Sequence, residues 1–306
     1  MGYASVFAPG LFDGKVIIVT GGGSGIGRCM AHELAHLGAQ VVIVGRNPDK
    51  LDRVAAEIHE DSGKVAAMAC DIRDEAQVIA TIDGTLARFG AIHGLVNNAG
   101  GQYRAEMKTL STKGFEAVVR NNLTGGFIFM REAYTRWMEA HGGAIVNIIA
   151  DIWNGWPEFA HSGAARGGML TLTETAACEW AHSGVRVNSV APGGIASSGF
   201  DQYEPHITQR LLEYAAKVPL PRYGTEAEIS AAVVYLLSPA AAYVTGSCLR
   251  VDGGAPNARQ TWTGAYQARN TPEFNGFHRA VMPEILKTGQ QGRQSADMGR
   301  RSGENG

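Results

Sequence analysis

The sequence predicts an α/β protein: a doubly wound parallel sheet (Rossmann fold) in a single domain with a C-terminal tail. Apolar, β-branched segments alternate with helical segments over roughly 240 residues, which is the pattern of repeated βα units. The first of these segments leads into a glycine-rich turn, which is typical of nucleotide binding. We assign residues 1–255 to the domain and residues 256–306 to a C-terminal extension. The last part of this extension is rich in glycine, glutamine and arginine, and we expect it to be disordered.

Composition limits the classes of function. The chain has 306 residues, is 45% hydrophobic and 18% charged, and carries a formal charge of −2. It has no basic surplus for nucleic acid or an anionic membrane, and no apolar run reaches the ~18–20 residues of a membrane helix. Four widely separated cysteines predict neither a metal site nor a disulfide framework. Without a secretory signal or an S-K-L-like ending at residues 304–306, the protein is expected to be cytoplasmic.

The turn after the first strand is the main candidate for cofactor binding. Residues 16–19 form a continuous β-branched run, as in a strand that is buried on both faces. Residues 20–27 read T-G-G-G-S-G-I-G, and a helix is predicted over residues 25–37. Glycine lets the backbone approach a phosphate, and the helix N-terminus attracts the anion. The cofactor contacts predicted here are Thr20, Gly21, Gly23, Ser24, Gly25, Ile26 and Gly27.

The end of the second predicted strand, residues 40–44, separates NADP from NAD. An acidic side chain at this position would accept a hydrogen bond from the ribose 2′-hydroxyl of NAD. Arg46 stands here instead, and its guanidinium suits a 2′-phosphate. The sequence therefore favours NADPH (NADP), and the alternative is that Arg46 only caps a loop.

Two further strands end in polar residues at the same edge of the sheet. A helix over residues 48–60 leads to a strand over 64–69, which is followed by Asp71 and Ile72. Asp71 is placed to accept from the adenine amino group, or alternatively to cap the next helix. The next strand, residues 92–96, ends in a small polar turn that contains Asn98, Ala99 and Gly100.

The second half of the chain continues the alternation. The pattern predicts helices at residues 111–122 and 124–141, a strand at 144–149, a helix at 163–181, a strand at 185–190, helices at 206–217 and 225–237, and a strand at 247–251. Within the tail, residues 276–286 are expected to dock as a short helix.

Four motifs in order resemble those of the short-chain dehydrogenase/reductase family: the glycine turn, N-N-A-G at 97–100, N-N-L-T around Asn122 and A-P-G-G-I at 191–195. The resemblance covers about residues 12–255. It implies that the glycine turn holds the pyrophosphate of the cofactor, and that residues 98–100 border the adenine and ribose. It also implies that the nicotinamide end is contacted by Pro192, Gly193, Ile195 and Ser197.

The chain departs from that family at its catalytic dyad, which is usually Tyr-x-x-x-Lys. Alignment on the helix start puts Ser162 at the tyrosine position and Arg166 at the lysine position. The usual serine falls near Ala150, beside Asp151. Arg166 can hold ribose hydroxyls and present a fixed charge, but a serine hydroxyl is a far weaker acid than a phenol. Proton donation to a ketone by the usual dyad is therefore not expected.

Enoyl-CoA reductases also lack that tyrosine, and the chain resembles the trans-2-enoyl-CoA reductase branch known from peroxisomes. The similar segments include S-T-K-G-F at 111–115, H-G-G-A-I-V-N-I-I at 141–149 and H-S-G-A-A-R-G-G at 161–168. The resemblance implies NADPH-dependent reduction of the 2,3 double bond of an enoyl thioester in fatty acid metabolism. It also implies a homotetramer that pairs through the helices at 124–141 and 163–181.

Conjugate reduction suits the residues present. Charge develops on the thioester oxygen, so hydrogen-bond donors and positive charge are needed there rather than a strong acid. Ser162 is the candidate donor, Arg166 the fixed charge, and Asn122 a further candidate. His161 can titrate near neutrality and is a candidate proton donor, unless a backbone partner satisfies it. Asp151 orients His161 or Arg166, or caps its loop.

Two other functions stay open. A short-chain carbonyl or ketone reductase with a displaced proton donor such as His161 predicts turnover of ketones. A non-catalytic nucleotide-binding protein predicts cofactor binding with no turnover, because a fold does not fix a function.

Aromatic residues in the loops predicted to cover the nicotinamide suit an apolar acyl chain, although each is as compatible with ordinary packing. The predicted substrate contacts are Gln102, Tyr103, Trp153, Trp156 and Phe159, with Phe200 and Tyr203 nearby. Arg104, Lys108 and Lys113 are candidates for the phosphates of coenzyme A.

Overall fold

The computed structural model describes residues 2–202, 208–258 and 271–287. Seven parallel strands form one sheet in the order β3-β2-β1-β4-β5-β6-β7, which confirms the predicted Rossmann fold. The strands are β1 (Val16–Thr20), β2 (Gln40–Gly45), β3 (Lys64–Ala69), β4 (Gly94–Asn97), β5 (Gly143–Ile148), β6 (Val185–Pro192) and β7 (Cys248–Val251).

The position of β1 creates the functional edge of the sheet. Every residue of β1 is buried, because helices cover both faces of the sheet. The strand pairs with β2 on one side and with β4 on the other, so the chain reverses its direction of winding beside β1. Such a switch point leaves a crevice at the carboxyl ends of the strands, where ligands bind in folds of this type.

Several helices begin at side-chain caps that the sequence supplies. Asp74 accepts from two backbone N–H groups at the start of α3, and Thr225 with Glu228 forms a capping box at α9. The helices are α1 (Gly25–His36), α2 (Pro48–Glu60), α3 (Glu75–Phe89), α4 (Thr112–Val119), α5 (Gly125–Ala133), α6 (Glu139–His141), α7 (Ala160–Trp180), α8 (Thr208–Lys217) and α9 (Glu226–Leu237).

The middle of the chain corrects two predicted helices. Residues 112–141 form one continuous helical run, in which π-helical turns at Arg120–Thr124 and Tyr134–Met138 separate α4, α5 and α6. The predicted break at residue 123 is wrong, because the π turn absorbs the change in register without ending the helix. The predicted start of α7 at residue 163 is also wrong, and the helix begins at Ala160.

The described part of the tail lies against the domain. The Ala4 N–H donates to the Gly276 carbonyl at 2.8 Å, and Phe277 is buried beside Tyr3. The prediction of a helix over residues 276–286 is wrong for most of its length, because only residues 284–287 are helical. The predicted disorder of the last residues falls outside the described ranges, as does Tyr203. Among the described helices, none is long and apolar enough to cross a membrane.

Candidate active site

Two adjoining cavities lie at the carboxyl edge of the sheet, and Gly100 lines both. The cofactor groove, of about 570 Å³, is lined by the glycine turn, the end of β2 and the residues after β3. The inner cavity, of about 650 Å³, is lined by the residues after β4, β5 and β6 and by α8. The two cavities share Gly100 and lie at the sheet edge where dinucleotides and substrates bind in folds of this type.

The glycine turn has the geometry of a phosphate cradle. Gly21 and Gly25 have φ angles of +68° and +56°, which favour glycine. Gly21, Gly23 and Ser24 line the cofactor groove, and Ser24 is the N-cap of α1 with no side-chain capping bond. The first N–H groups of α1 therefore remain available to an anion, so these residues fit a dinucleotide pyrophosphate.

Other residues of the motif hold the turn in place and do not line the groove. The Thr20 hydroxyl donates to the Val96 carbonyl at 3.3 Å and accepts from the N–H groups of Asn98 and Ala99 at 2.9 and 3.0 Å. The Asn98 side chain donates to the Thr20 carbonyl at 3.0 Å. Thr20 and Asn98 thus fasten β1 to β4 next to the cofactor groove, and Ala99 and Gly100 line the groove beside them.

The adenosine end of the groove contains Arg46 and Ile72. Arg46 is exposed, so its guanidinium is available to a phosphate. Asp71, in contrast, is held by Arg73, whose Nε donates to both carboxylate oxygens at 2.9 and 3.1 Å. The Arg73 hydrogen bonds lower the pKa of Asp71 to about 2. The cap of α3 is Asp74, so Asp71 does not take its alternative role as that cap.

The nicotinamide end is formed by the loop after β6. Pro192 and Gly193 line the inner cavity, as do Ile26 and Asn98 from the other side of the crevice. Ile195 is buried and pairs with Gly224 through its backbone, and neither Ile195 nor Ser197 is among the residues that line the two cavities. The cofactor contacts of Ile195 and Ser197 stay predictions.

Arg166 supplies a positive charge to the inner cavity. Its Nη1 donates to the Ile148 carbonyl at 2.6 Å, and no carboxylate of the described residues forms an ion pair with it. Burial lowers the pKa of Arg166 to about 10, so the guanidinium remains charged at neutral pH. A Cβ atom at Gly100 would overlap the guanidinium, so only glycine there leaves room for this side chain.

Ser162 is fully buried in a hydrogen-bonded network behind the cavity. Its hydroxyl donates to Gln102 Oε1 at 2.6 Å and accepts from Asn122 Nδ2 at 3.5 Å. Asn122 also binds the Gly101 backbone through both of its side-chain polar atoms, at 2.8 and 3.0 Å. The three predicted residues Gln102, Asn122 and Ser162 are thus brought together, in an arrangement that fixes the loop after β4 rather than presenting a donor to the cavity.

His161 points away from the cavity into the protein. Its Nδ1 accepts from the Ser162 N–H at 2.8 Å, and its ring meets Tyr103 edge-on at 4.8 Å. Burial lowers the pKa of His161, although the nearby backbone carbonyls of Phe159 and Tyr103 oppose the shift. The imidazole is therefore neutral at neutral pH. This agrees with the alternative prediction, in which a backbone partner satisfies His161 and the residue is not a proton donor.

Asp151 lines the inner cavity and forms no hydrogen bond with His161 or Arg166. Its Oδ1 is buried without a hydrogen-bond partner. Burial raises the pKa of Asp151, the Asp252 carboxylate adds to the shift, and the Trp153 N–H opposes it. The hydrogen bond from the Trp153 N–H agrees with the prediction that Asp151 caps its loop. The structure shows no contact through which Asp151 would orient His161 or Arg166.

Aromatic side chains form much of the wall of the inner cavity. Trp153, Trp156 and Phe159 line it as the sequence predicts, whereas Tyr103 is 45% exposed and packs outside. Arg104 pairs with Glu158 at 2.7 Å and Lys108 with Glu106 at 2.6 Å, so these two candidates for phosphate binding already have partners.

Sequence reasoning missed two residues of the cavity wall. Tyr214 on α8 accepts from the Gly194 N–H at 3.3 Å, and its ring stacks on Tyr223 at 5.6 Å. The predicted helix at 206–217 follows directly after the loop that forms the nicotinamide end. This position in the sequence could have indicated that the helix contributes to the cavity wall.

Glu226 lies close to the glycine turn, and its raised pKa leads to a testable prediction about the pH dependence of stability. Burial raises its pKa from 4.5 to about 7, so the folded protein binds this proton more tightly than the unfolded chain does. The free energy of unfolding must then fall as pH rises between those values. We expect Glu226→Gln to stabilise the protein at about pH 8 by roughly 1–3 kcal/mol and to have little effect at about pH 4. Urea denaturation at both pH values measures this, and an equal gain at both would contradict it.

The fold and the crevice define a dinucleotide-binding α/β protein with an oxidoreductase-type site. A family model described as enoyl-(acyl carrier protein) reductase matches residues 21–256. The chain belongs to the short-chain dehydrogenase/reductase family, and it is therefore an oxidoreductase that binds a nicotinamide dinucleotide.

Several curated relatives are named 2,4-dienoyl-CoA reductases. The peroxisomal enzyme of Danio rerio is 37% identical over 83% of this chain and 85% of its own length. A probable enzyme of Bacillus subtilis is 35% identical over 78% of this chain and 96% of its own length. Among solved structures, the citronellol catabolism dehydrogenase AtuB of Pseudomonas aeruginosa is 54% identical, with a TM-score of 0.75, over 83% of this chain and 100% of its own.

Proposed function

We propose that the protein uses NADPH to reduce the 2,3 double bond of an enoyl thioester, such as a trans-2-enoyl-CoA. One observation carries this proposal. The inner cavity contains a charged Arg166 that pairs with no carboxylate of the described residues, while the hydroxyl at the usual tyrosine position is buried and donates to Gln102. The site therefore offers positive charge, while a buried serine takes the position of the usual proton donor for ketone reduction.

Each part of the crevice has a role in this reaction. The glycine turn and the loop after β6 would hold the dinucleotide, and a reduced nicotinamide bound there would supply a hydride for the substrate β-carbon. Arg166 holds the ribose and stabilises the negative charge that develops on the thioester oxygen. The network of Gln102, Asn122 and Ser162 keeps the loop after β4 in place, and Trp153, Trp156 and Phe159 exclude water around an apolar acyl chain. The proton at the α-carbon comes from water or a weak acid on the cavity wall.

The names of the relatives support an acyl-CoA substrate. Dienoyl-CoA reductases act on unsaturated acyl-CoA molecules, and the name of the P. aeruginosa protein refers to the catabolism of citronellol, a branched terpenoid. A branched enoyl-CoA therefore belongs beside straight chains among the substrates to be tested. In the cell we propose a cytoplasmic homotetramer that pairs through α5 and α7.

Turnover with defined substrates tests the proposal. Purified protein is mixed with NADPH and a medium-chain trans-2-enoyl-CoA, the nicotinamide absorbance is followed, and the product is identified by mass. Parallel reactions contain a 2,4-dienoyl-CoA, a branched enoyl-CoA or a matched 3-ketoacyl-CoA. A saturated acyl-CoA product is the expected result. Turnover of the ketone alone would replace the proposal with a carbonyl reductase, and cofactor binding without any turnover would replace it with a nucleotide-binding protein.

The choice of NADPH depends on Arg46. Because a charge-assisted hydrogen bond contributes roughly 1.5–3 kcal/mol, Arg46→Ser should weaken NADPH binding by about 10–100-fold and leave NADH binding almost unchanged. Arg53→Ser is the matched control, since Arg53 is exposed on α2 and does not line the groove. Fluorescence titration with both cofactors measures the effect. Equal loss of both affinities in the Arg46 variant would show that the 2′-phosphate is not its ligand.

A further inference from the structure

A cluster of metal-type ligands joins the tail to the two helices beside the glycine turn. His32 on α1, Asp61 at the end of α2 and His278 in the tail each offer one ligand atom, and these three atoms lie within 4.8 Å of one another. Asp61 Oδ2 is 3.5 Å from His32 Nδ1 and 2.8 Å from His278 Nε2. We call these three residues the His–Asp clasp. No part of the clasp lines the cofactor groove or the inner cavity.

The second nitrogen of His32 has the partner that a metal-bound histidine requires. His32 Nε2 lies 3.3 Å from Glu57 Oε2, so a neutral imidazole that donates there has its lone pair at Nδ1. That lone pair faces Asp61. Metal-binding histidines almost always donate their other N–H to a carboxylate or carbonyl, which fixes the tautomer and the ring orientation. Glu57 itself is oriented by Arg28 at 2.6 Å.

A cationic group already contacts two of the three ligand residues. Arg279 Nε is 3.1 Å from Asp61 Oδ2 and 3.2 Å from His278 Nε2, so its N–H donates to two acceptors of the clasp. The other end of the guanidinium contacts Asp61 Oδ1 at 3.2 Å and Glu60 at 3.0 Å. Because this N–H donates to two of the three ligand atoms, a metal ion must displace it in order to bind.

We propose that the His–Asp clasp binds one zinc ion, with His32 Nδ1, His278 Nε2 and an Asp61 oxygen as ligands and water in the fourth position. Two imidazoles and one carboxylate with an open position are a set that Zn²⁺ accepts in tetrahedral geometry, whereas Mg²⁺ prefers oxygen ligands alone. The ligands come from three separate segments of the chain. The ion therefore fastens residues 271–287 to α1 and α2 and stabilises the folded state.

Metal binding to the full-length protein tests the proposal. After removal of metal with a chelator, Zn²⁺ is titrated by calorimetry, and Mg²⁺ is titrated in parallel. We expect about one equivalent of Zn²⁺, no heat with Mg²⁺, and a higher Tm with Zn²⁺ than without it. His278→Gln and His32→Gln should each weaken Zn²⁺ binding at least about tenfold, since removal of even a supporting partner costs that much.

His59→Gln is the matched control, because His59 is an exposed histidine on α2, close to Asp61 in sequence, and its Nδ1 lies 3.3 Å from the Gly63 carbonyl oxygen. Co²⁺ absorption gives a second readout that does not depend on stability, and we expect bands of a tetrahedral complex that disappear in His278→Gln. Failure of the wild type to bind Zn²⁺ would overturn the proposal and leave Arg279 as the cation that contacts the clasp. Equal weakening in all three histidine variants would overturn it as well, since binding would then occur on the surface. Circular dichroism verifies that each variant is folded.

Discussion

Replacement of Arg166 by glutamine is expected to lower kcat/KM for an enoyl thioester by about 10²–10³-fold, the loss that follows removal of one group that stabilises the developing oxyanion. The reason is positional. Arg166 lies on the wall of the inner cavity and forms no ion pair within the described part of the chain, and its Nη1 donates to the Ile148 carbonyl at the end of β5. Glutamine is too short to keep that contact and carries no charge. Steady-state kinetics with both substrates varied measures the loss.

Two controls separate this role from a structural one. Arg166→Lys keeps the charge that the family's usual lysine provides, so its activity should lie between those of the wild type and the glutamine variant. Burial lowers the pKa of Arg166, which means that its charge is desolvated in the folded state. Its removal should therefore cost little stability, and the Tm of Arg166→Gln should stay near that of the wild type. Wild-type kcat/KM in a folded Arg166→Gln protein would refute the assigned role.

The sequence contains most of the information on the fold because the relevant signals are local. β1 reads as an unbroken β-branched run, and every residue in it is buried. The sequence predicts a phosphate-binding glycine turn between a strand and a helix, and Gly21 and Gly25 do have left-handed backbone conformations. These features depend on residues that are adjacent in the sequence, so spacing alone predicts them.

The site was harder to predict, because it depends on where helices begin and how they turn. The early start of α7 at Ala160 puts Ser162 in its first turn, where the hydroxyl faces Gln102 rather than the cavity. The π turn around Asn122 likewise has no sequence signature, although it directs this side chain at Gly101. Arg73 binds Asp71 after a local turn that the strand pattern does not indicate.

Contacts between segments that are far apart in the sequence could not be predicted from the spacing of residues. His278 is 217 positions from Asp61, and nothing in the separate sequences of the tail and α2 indicates that they meet. The same holds for Tyr214, which reaches the inner cavity only because α8 folds back over the loop after β6. Tertiary packing rather than local preference determines these positions.

A second large effect is expected when a methyl group is added at Gly27, where α1 packs tightly against the backbone of the glycine turn. Gly27 lies in the first turn of α1, and a Cβ atom there would lie 2.5 Å from Asn98 Nδ2 and would overlap the Gly21 carbonyl oxygen. Asn98 fastens β4 to the turn, so neither group can move without breaking a hydrogen bond. We expect Gly27→Ala to destabilise the protein by roughly 2–4 kcal/mol, as overpacking at a rigid site does, and to abolish NADPH binding.

Gly84→Ala is the control that makes the prediction specific, because it adds the same methyl group to another helix. At Gly84, in the interior of α3, the added Cβ would meet only Met68 atoms at 3.7 and 3.9 Å, which is ordinary contact. This variant should be stabilised by up to about 1 kcal/mol, since alanine favours a helix interior over glycine. Urea denaturation and NADPH titration of both variants measure the contrast. A Gly27→Ala protein with wild-type stability would mean that the turn relaxes around the methyl group, and the cradle would then owe its shape to the bound cofactor rather than to the packing of β1, β4 and α1.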